Sequence, residues 1–394
     1  MNALEHVKHL AQEIGPRGSA TPQEKAAADY ASEQLASMGL SPTVEVFRTA
    51  RSAWLPAGLF WSVLLSAGFL FVGGTRVGAI VSLPVAVVAL GSIILELTFR
   101  TNPLRWVLPK GDSRNVWSRI PASGERKGCV ILVAHLDTHR TPLVFSSDRW
   151  VRWFARLVPI GFALAFLQIA IILAGILRPE MWIRYLAIVP MTASFGLLAL
   201  MLQADFTPYS PGANDNASGV GVALSLAERL AVRPLENTDV WVVLTGSEEV
   251  GSYGADAFLR HHRGDLHGAA WLTIDTVGSR DGVPVFLAQE TFLKPVRSDP
   301  GLLRIARTVA AHHPQWHTRE STVKGAYTDG ALGAKHGLRV LTFESHAPDG
   351  GLSNWHRLTD TVDCLGEECL LASEAFVLGV ITQLDAETAR IGEG

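Results

Sequence analysis

The stretch CVILVAHLDT, residues 129–138, runs through six apolar or small residues and then reaches a histidine and an aspartate. VWVVLTGSEE at 240–249 and LTID at 272–275 repeat this design, with acidic residues after an apolar run. Short continuous apolar runs are typical of strands that are buried on both faces of a sheet. Helical patterns separate the runs, and this alternation predicts an α/β fold.

The predicted fold is a three-layer α/β sandwich with a central mixed, largely parallel sheet. Open sheets of this kind carry functional groups at the carboxyl ends of their strands. His135, the pair Glu248 and Glu249, and Asp275 all follow predicted strands, so we expect them to meet at one edge. A single acid at such a point is often only the N-cap of a helix. A whole set of such residues indicates a site.

Four apolar blocks interrupt the hydrophilic sequence, at 54–73, 77–95, 157–177 and 185–202. None contains a charged residue, and each is about long enough to cross a hydrocarbon core of roughly 30 Å as a helix. The alternative is four buried core helices, but a globular helix would show a polar face. Short connections pair the blocks into two predicted transmembrane helical hairpins. The expected boundaries are 53–97 and 157–204 for the hairpins and 1–52, 98–156 and 205–394 for the hydrophilic domain.

The charge distribution predicts the location of the hydrophilic domain. Each hairpin returns the chain to the side that it left, so all hydrophilic segments share one side of the membrane. Basic residues flank the hairpins on that side, and the positive-inside rule then predicts a cytoplasmic domain on a bacterial inner membrane. Three cysteines without an evident disulfide framework fit a reducing compartment. A net charge of −3 and the lack of a basic stripe beyond the membrane-flanking arginines predict no nucleic-acid partner. The four apolar blocks predict the lipid bilayer as a partner.

The residue types in the motifs are those of a two-metal hydrolase. Two more motifs, GANDNASG at 212–219 and WHRLTDT at 355–361, complete the set. The candidate site residues of the five motifs are two histidines, three aspartates and two adjacent glutamates, namely His135, His356, Asp137, Asp215, Asp275, Glu248 and Glu249.

These motifs resemble the co-catalytic zinc aminopeptidases of metallopeptidase family twenty-eight. The resemblance extends over the hydrophilic sequence from His6 to the last predicted helix and includes the opening IGPRGSATPQEKAAADYASEQLASMGL at 14–40. It leaves out the four apolar blocks, which look like insertions into the domain of the family.

The resemblance implies two zinc ions and five protein ligands. Asp215 would bridge the ions, one of which would also be bound by His135 and Asp275. The other ion would be bound by Glu249 and His356. Each ion then has one imidazole and two carboxylates, a mixed set that suits zinc.

The two remaining acids are expected to have catalytic roles. Glu248 is expected to be the general base, because its side chain diverges from that of its neighbour and cannot easily reach the same ion. Asp137 lies on the same face of an extended segment as His135 and is expected to fix the tautomer of that imidazole. Two positions depart from the family pattern: Trp355 replaces a frequent tyrosine, and glycine follows Asp329 where relatives often have histidine.

The leading hypothesis is a membrane-anchored metallo-aminopeptidase that acts on peptides. A glutaminyl-cyclase-like enzyme with a single zinc, or a carboxypeptidase or dipeptidase, would use the same fold. A third alternative is a membrane scaffold with a vestigial site, although vestigial sites usually lose ligands or the base, and this sequence has lost neither. The motifs leave the preferred terminal residue, the physiological substrate and the oligomeric state open.

Overall fold

The computed structural model describes residues 1–291 and 293–391. The chain divides into two compact units. The first consists of Met1–Arg51, Lys110–His139 and Tyr209–Gly394, and the second of Ser52–Pro109 and Arg140–Pro208. The second unit therefore contains all four apolar blocks, and the first contains all five motifs.

Strands and helices alternate along the first unit, as predicted. The strands are β1 (Thr43–Ala50), β2 (Lys110–Ile120), β3 (Gly128–His135), β4 (Thr238–Thr245), β5 (Ala270–Ile274), β6 (Val283–Thr291), β7 (Pro295–Arg297), β8 (Arg319–Lys324) and β9 (Arg339–His346). The helices of the chain are α1 (Ala3–Lys8), α2 (Pro22–Ser37), α3 (Leu55–Val72), α4 (Arg76–Leu97), α5 (Asp148–Leu177), α6 (Met181–Leu186), α7 (Ile188–Asp205), α8 (Gly219–Val232), α9 (Tyr253–His261), α10 (Pro300–His312), α11 (Asp329–Lys335) and α12 (Glu367–Ile391).

Within the described residues, the strands form one mixed sheet in the order β1-β2-β4-β3-β5-β9-β6-β7, with β8 paired to β6. The central strands β4, β3, β5 and β9 are parallel. The flanking strands β1, β2 and β7 pair antiparallel, and β6 is antiparallel to β9. The predicted α/β fold with a central mixed sheet is confirmed, and its parallel part is the centre that carries the motifs.

The centre of the sheet is buried on both faces because its strands are continuous apolar runs. In β3, Val130, Leu132 and Ala134 belong to the large core on one face, while Ile131 and Val133 are buried on the other. Helices α8 and α12 pack on the first core, and α9 and α11 pack against each other and against strands of the sheet. Covering both faces leaves the strand ends as the place where polar side chains can gather.

Three elements of the first unit were not predicted from the sequence, namely β7, β8 and α11. Strand β8 has the sequence RESTVK, and its side chains are exposed or half-buried. It contains no apolar run, and it forms because β6 offers it a parallel partner. Such an edge strand depends on its neighbour more than on its own residues.

The beginning of α2 follows the sequence signals in part. Thr21 accepts a hydrogen bond from the backbone N–H of Glu24, and Pro22 occupies the first turn. The spacing of Thr21 and Glu24 predicts a capping box. This prediction is wrong, because the Glu24 carboxylate does not return to Thr21. One of its oxygens accepts the N–H of Ala20 at 2.7 Å, and the other accepts the hydroxyl of Ser113 at 2.9 Å. The first turn of α2 is thereby joined to β2.

The second unit consists of long apolar helices. Helices α3 and α4 form one hairpin, and α5 is followed by α6 and α7. Gln168 of α5 is fully buried and donates to the carbonyl oxygen of Leu64 in α3 at 2.7 Å. Its own amide oxygen accepts the hydroxyl of Ser194 in α7 at 3.5 Å. Gln168 is a polar residue within an apolar block, where a hydrogen bond to a neighbouring helix is expected. The structure confirms this expectation, and the two bonds tie three helices together.

Candidate metal centre

The first cluster of the site forms where parallel strands end side by side. His135 is the last residue of β3, and Asp275 directly follows the neighbouring strand β5. The Nε2 atom of His135 lies 3.7 Å from an Asp275 carboxylate oxygen, although 139 residues separate them in the sequence. The parallel register of the two strands produces this approach.

Asp215 is carried by a tight turn that precedes α8. A Cβ atom on Gly212, where φ is +63°, would lie 2.2 Å from the Thr138 side chain, so glycine is required there. The Asp360 carboxylate accepts the backbone N–H groups of Asn214 at 2.8 Å and of Asp215 at 3.0 Å. The peptide bond that follows Asp215 is cis. These contacts fix the main chain at Asp215.

The two carboxylate oxygens of Asp215 face different histidines. Its Oδ1 lies 3.2 Å from Nε2 of His135, and its Oδ2 lies 3.2 Å from Nε2 of His356. The same His356 nitrogen lies 3.3 Å from Oε2 of Glu249. The structure thus brings the five predicted ligands together as two groups that share Asp215.

The donor atoms fit a pair of zinc ions. Zinc–ligand bonds of about 2.0–2.1 Å at tetrahedral angles place neighbouring donor atoms about 3.3 Å apart. The observed separations of 3.2–3.7 Å among the His135, Asp215 and Asp275 atoms are close to this spacing. In addition, Oε1 of Glu249 is buried and has no hydrogen-bond partner in the described part of the chain. A buried carboxylate oxygen without a partner is costly unless a cation compensates for it.

Burial and neighbouring charges shift the pKa values of Glu249 and His356 in the second group. It raises the pKa of Glu249 to about 7, and the neighbouring Asp215 charge acts in the same direction. Burial alone would lower the pKa of His356, but Glu249 and Asp215 outweigh it and raise that pKa to about 9. An assembly of buried acids and imidazoles of this kind competes for protons in the absence of a metal and exchanges them for metal ions.

Glu248 is buried beside the two groups. Ser252 donates to its Oε1 at 3.2 Å. Burial raises the pKa of Glu248 well above its usual range, and the carboxylates of Asp329 and Glu249 add to this effect against the opposing influence of His135. A carboxyl group with a raised pKa beside a metal site can accept a proton and return it in a later step.

Asp137 holds the glutamate pair more closely than it holds the imidazole. Its carboxylate accepts the backbone N–H groups of Glu248 at 2.9 Å and of Glu249 at 3.2 Å, and the hydroxyl of Ser19 at 2.5 Å. The carboxylate contact to Nδ1 of His135 is 3.6 Å, too long for a hydrogen bond. The backbone oxygen of Asp137, at 3.1 Å from that nitrogen, is the partner that orients the ring.

Left-handed backbone conformations occur beside these residues. Ser247 precedes Glu248, Thr276 follows Asp275, and His356 itself has a positive φ, with values of +55°, +49° and +55°. Residues other than glycine rarely adopt this conformation, and such strain concentrates at functional sites. No pattern in the sequence predicts this conformation at these three positions.

Arg17 is a residue of the site that sequence reasoning missed. It is fully buried and donates to the backbone oxygens of Leu136 at 3.0 Å and Gly212 at 2.8 Å, with further bonds to those of Leu10, Gly15 and Pro211. Its guanidinium therefore joins the segment that follows His135 to the turn that carries Asp215.

Glu24 and Asp360 were also missed. Glu24 accepts the backbone N–H of Ser247 at 2.8 Å and thereby supports the glutamate pair from α2. Burial raises its pKa to about 8, and the charge of Asp137 adds to the effect. Burial likewise raises the pKa of Asp360 to about 7. Both acids belong to quoted motifs, but their partners lie far away in the sequence.

Comparison with known proteins finds similarity to zinc peptidases. Residues 195–381 match Peptidase family M28. A protein of Leptosphaeria maculans described as "Probable zinc metalloprotease" is 40% identical over 81 residues, which are 20% of this chain and 18% of that protein. The chain thus spans less than a fifth of this relative. The resemblance to the zinc aminopeptidase family that the motifs predicted is confirmed.

Solved structures share the fold over nearly the whole chain. BSAP, a zinc aminopeptidase from Bacillus subtilis, has a TM-score of 0.59 at 13% identity and covers 97% of this chain and 94% of its own. A leucine aminopeptidase precursor from Bacteroides thetaiotaomicron has a TM-score of 0.58 at 16% identity, covering 97% and 96%. A glutaminyl cyclase from the same organism reaches 0.57 at 16% identity, covering 97% and 96%. At these identities the likeness establishes the fold.

Proposed function

We propose that this chain is a membrane-anchored dinuclear zinc exopeptidase, an aminopeptidase that hydrolyses the N-terminal peptide bond of peptides. The observation that carries the proposal is Asp215, whose two carboxylate oxygens each lie 3.2 Å from a different histidine. A carboxylate held in this way suits a ligand that is shared by two ions. His135 and Asp275 would complete the ligand set of one ion, and Glu249 and His356 would complete that of the other.

The ions would supply the Lewis acidity that polarises the scissile carbonyl and lowers the pKa of the attacking water. Glu248 takes a proton from that water onto its carboxylate and delivers it to the nitrogen of the leaving amine. Asp137 holds the backbone of Glu248 and Glu249 in place. Glu248 can therefore transfer the proton while Glu249 would remain a ligand of the metal.

The helical surface of the second unit supports the membrane anchor. Large apolar side chains point away from the unit, among them Val77 at 72% and Val189 at 63% exposure. Helix α5 has 30 residues, so it is about 45 Å long and exceeds the hydrocarbon core. Exposed Trp150 and Trp153 lie in its first turns, and exposed Trp182 follows its other end. Tryptophans at both ends of an apolar segment are typical of the two membrane interfaces.

The distribution of basic residues supports one side of the membrane. Arg149, Arg152 and Arg156 lie in the first turns of α5 beside the exposed tryptophans. With the other basic residues that flank the hairpins, they support a cytoplasmic location for the catalytic unit at a bacterial inner membrane by the positive-inside rule. Fusion of a reporter enzyme that is active only in the periplasm to the 178–184 connection tests this topology, because that connection would then face the periplasm.

A glutaminyl-cyclase-like activity is the second candidate, because a glutaminyl cyclase from Tannerella forsythia shares the fold with a TM-score of 0.58. The complete set of five ligands in two groups favours the dinuclear peptidase over a single-zinc enzyme. Metal content separates the two candidates.

The decisive experiment measures zinc and activity in the same detergent-solubilised preparation. We expect two zinc ions per chain and hydrolysis of amino-acid anilides that ceases on chelation and returns on adding zinc. An active, metal-replete preparation with one ion per chain would refute the dinuclear site. A preparation with two ions that cyclises N-terminal glutamine and leaves anilides intact would refute the aminopeptidase.

A further inference from the structure

The ring of His356 lies between two other aromatic rings. The His139 ring stacks on it with centroids 3.8 Å apart and an interplanar angle of 18°. The Trp355 ring lies 4.2 Å away at an angle of 31°. Centroids this close require contact through the ring faces, since edge contacts separate them by more. Two rings cannot occupy the same face, so His139 and Trp355 cover opposite faces of His356.

His139 is close enough to be mistaken for a metal ligand. One of its nitrogens, a nitrogen of His356 and an oxygen of Glu249 all lie within 4.8 Å of one another. However, the lone pair of an imidazole nitrogen lies in the plane of its ring. An ion shared by two rings stacked 3.8 Å apart would lie about 1.9 Å out of each plane, almost a whole zinc–nitrogen bond of about 2.0–2.1 Å. The stack therefore excludes His139 as a ligand of the ion that His356 binds.

We propose that His139 is a positioning residue that clamps the His356 imidazole, together with Trp355, in the plane where its Nε2 atom meets Asp215 and Glu249. This inference rests on the proposed dinuclear site. His356 depends on a clamp because it lies in a loop between β9 and α12, with positive φ values at Asn354 and at His356 itself. No strand or long helix fixes the direction of its side chain.

Ser210 also connects the backbone at His139 to the backbone beside His356. The backbone N–H of Ser210 donates to the carbonyl oxygen of His139 at 2.8 Å. The hydroxyl of the same serine donates to the carbonyl oxygen of Arg357, next to His356, at 2.9 Å. The segment that provides His135 to one ion thus also orients the histidine of the other ion, through His139 four residues later.

The test compares His139→Ala, which removes the ring, with His139→Phe, which keeps an aromatic ring and removes both nitrogens. Zinc binding to the metal-free, detergent-solubilised protein is measured by competition with a chromophoric chelator, which resolves the two sites. We expect His139→Ala to weaken one of the two zinc affinities by roughly 10–100-fold, the usual effect of losing a partner that orients a ligand. His139→Phe should retain most of that affinity.

Two further variants keep the outcome interpretable. Trp355→Ala should weaken the same zinc affinity and Trp355→Phe should preserve it, which provides an independent test should His139→Phe fold poorly. His262→Ala removes a buried ring that packs on Trp117 and Trp241 instead, and it should leave both zinc affinities unchanged. The cobalt-substituted protein gives a second readout, because loss of a ligand changes its visible absorption and loss of a clamp alone leaves the ligand count intact.

Equal weakening by His139→Ala and His139→Phe, with both proteins folded, would overturn the clamp and indicate a nitrogen-dependent role. An unchanged affinity in His139→Ala would overturn it too. If the wild-type protein binds a single zinc ion, the proposed dinuclear site is wrong. The zinc content of the wild-type protein is therefore measured before any variant is compared with it.

Discussion

Helices α4 and α12 are both long and apolar, but their apolar side chains differ in burial. Both are long and apolar enough to cross a membrane, as are α3, α5 and the segment Met181–Asp205 among the described helices. In α12, Phe376, Val377 and Val380 are buried in the core of the first unit. In α4, Val77 and Val88 are 72% and 56% exposed. The apolar side chains of α12 already have protein partners, whereas many of those of α4 need a partner outside the chain.

Acidic residues within α12 are bound by other elements of the first unit, whereas the single acid of α4 lies near the end of its helix. In α12, Glu374 accepts the Ser225 hydroxyl at 2.9 Å, and Asp385 accepts the backbone N–H of Asn237 at 2.9 Å. Helix α4 has Glu96 near its end, hydrogen-bonded to Arg105 at 2.7 Å. Length and composition therefore cannot separate a core helix from a membrane helix, but the direction of the side chains can. On this ground we assign α12 to the core and propose the other four for the membrane.

The largest expected effect concerns the buried acids of the first unit. Glu248→Gln should lower turnover by about 10²–10⁴-fold while both zinc ions remain, because it removes a proton acceptor and no ligand. The matched change Glu249→Gln should instead weaken zinc binding. Turnover and elemental analysis of the two purified variants check this. If the effects were exchanged, the roles of base and ligand would have to be exchanged as well.

The next effect tests the comparison of α4 with α12 directly. Val88→Arg places a charge on an exposed position of α4, which should cost about 2.5–3.5 kcal/mol if that position lies near the bilayer centre. Leu371→Arg does the same at a position of α12 that is 50% exposed, and it should change stability by less than about 0.5 kcal/mol in water. Membrane insertion and thermal melting in detergent measure the two variants. Similar behaviour of both would break the distinction between the helices.

A smaller effect arises from a buried acid outside the metal groups. Burial raises the pKa of Glu290 to about 8, from an ordinary value of 4.5. The folded state therefore holds this proton more tightly than the unfolded state, and its contribution to stability is lost as the pH rises from about 4.5 to 8. Glu290→Gln should not lose stability in this way. Its free energy of unfolding, compared with that of wild type, should therefore be about 1–3 kcal/mol higher at pH 9 than at pH 5. Melting temperatures at the two pH values check this, and parallel shifts in both proteins would contradict it.

The smallest expected effect lies inside the second unit. Gln168→Leu removes the hydrogen bonds to Leu64 and Ser194 that tie α5 to α3 and α7. Bonds of this kind between membrane helices contribute only about 0.6 kcal/mol on average, so the melting temperature should fall slightly and peptidase activity should persist. A large loss of activity would show that Gln168 does more than join helices.

The sequence predicted the strands β3, β4 and β5 because each is an apolar run followed by polar residues. It also predicted the seven site residues of the motifs, since the motifs resemble those of a family. It missed β8, which has no apolar run of its own and pairs with β6. It also missed Arg17, whose partners Leu136 and Gly212 lie 119 and 195 residues away.

The sequence by itself determined which residue types stand at which strand ends, because helix and strand periods and turn glycines are local properties of the chain. The tertiary structure decided how these residues meet. The sheet order and register bring His135 next to Asp275, and the turn at Gly212 places Asp215 between His135 and His356. The same packing stacks His139 on His356 and buries α12. Distances between segments more than a hundred residues apart depend on the packing of the whole unit, and no local pattern in the sequence records them.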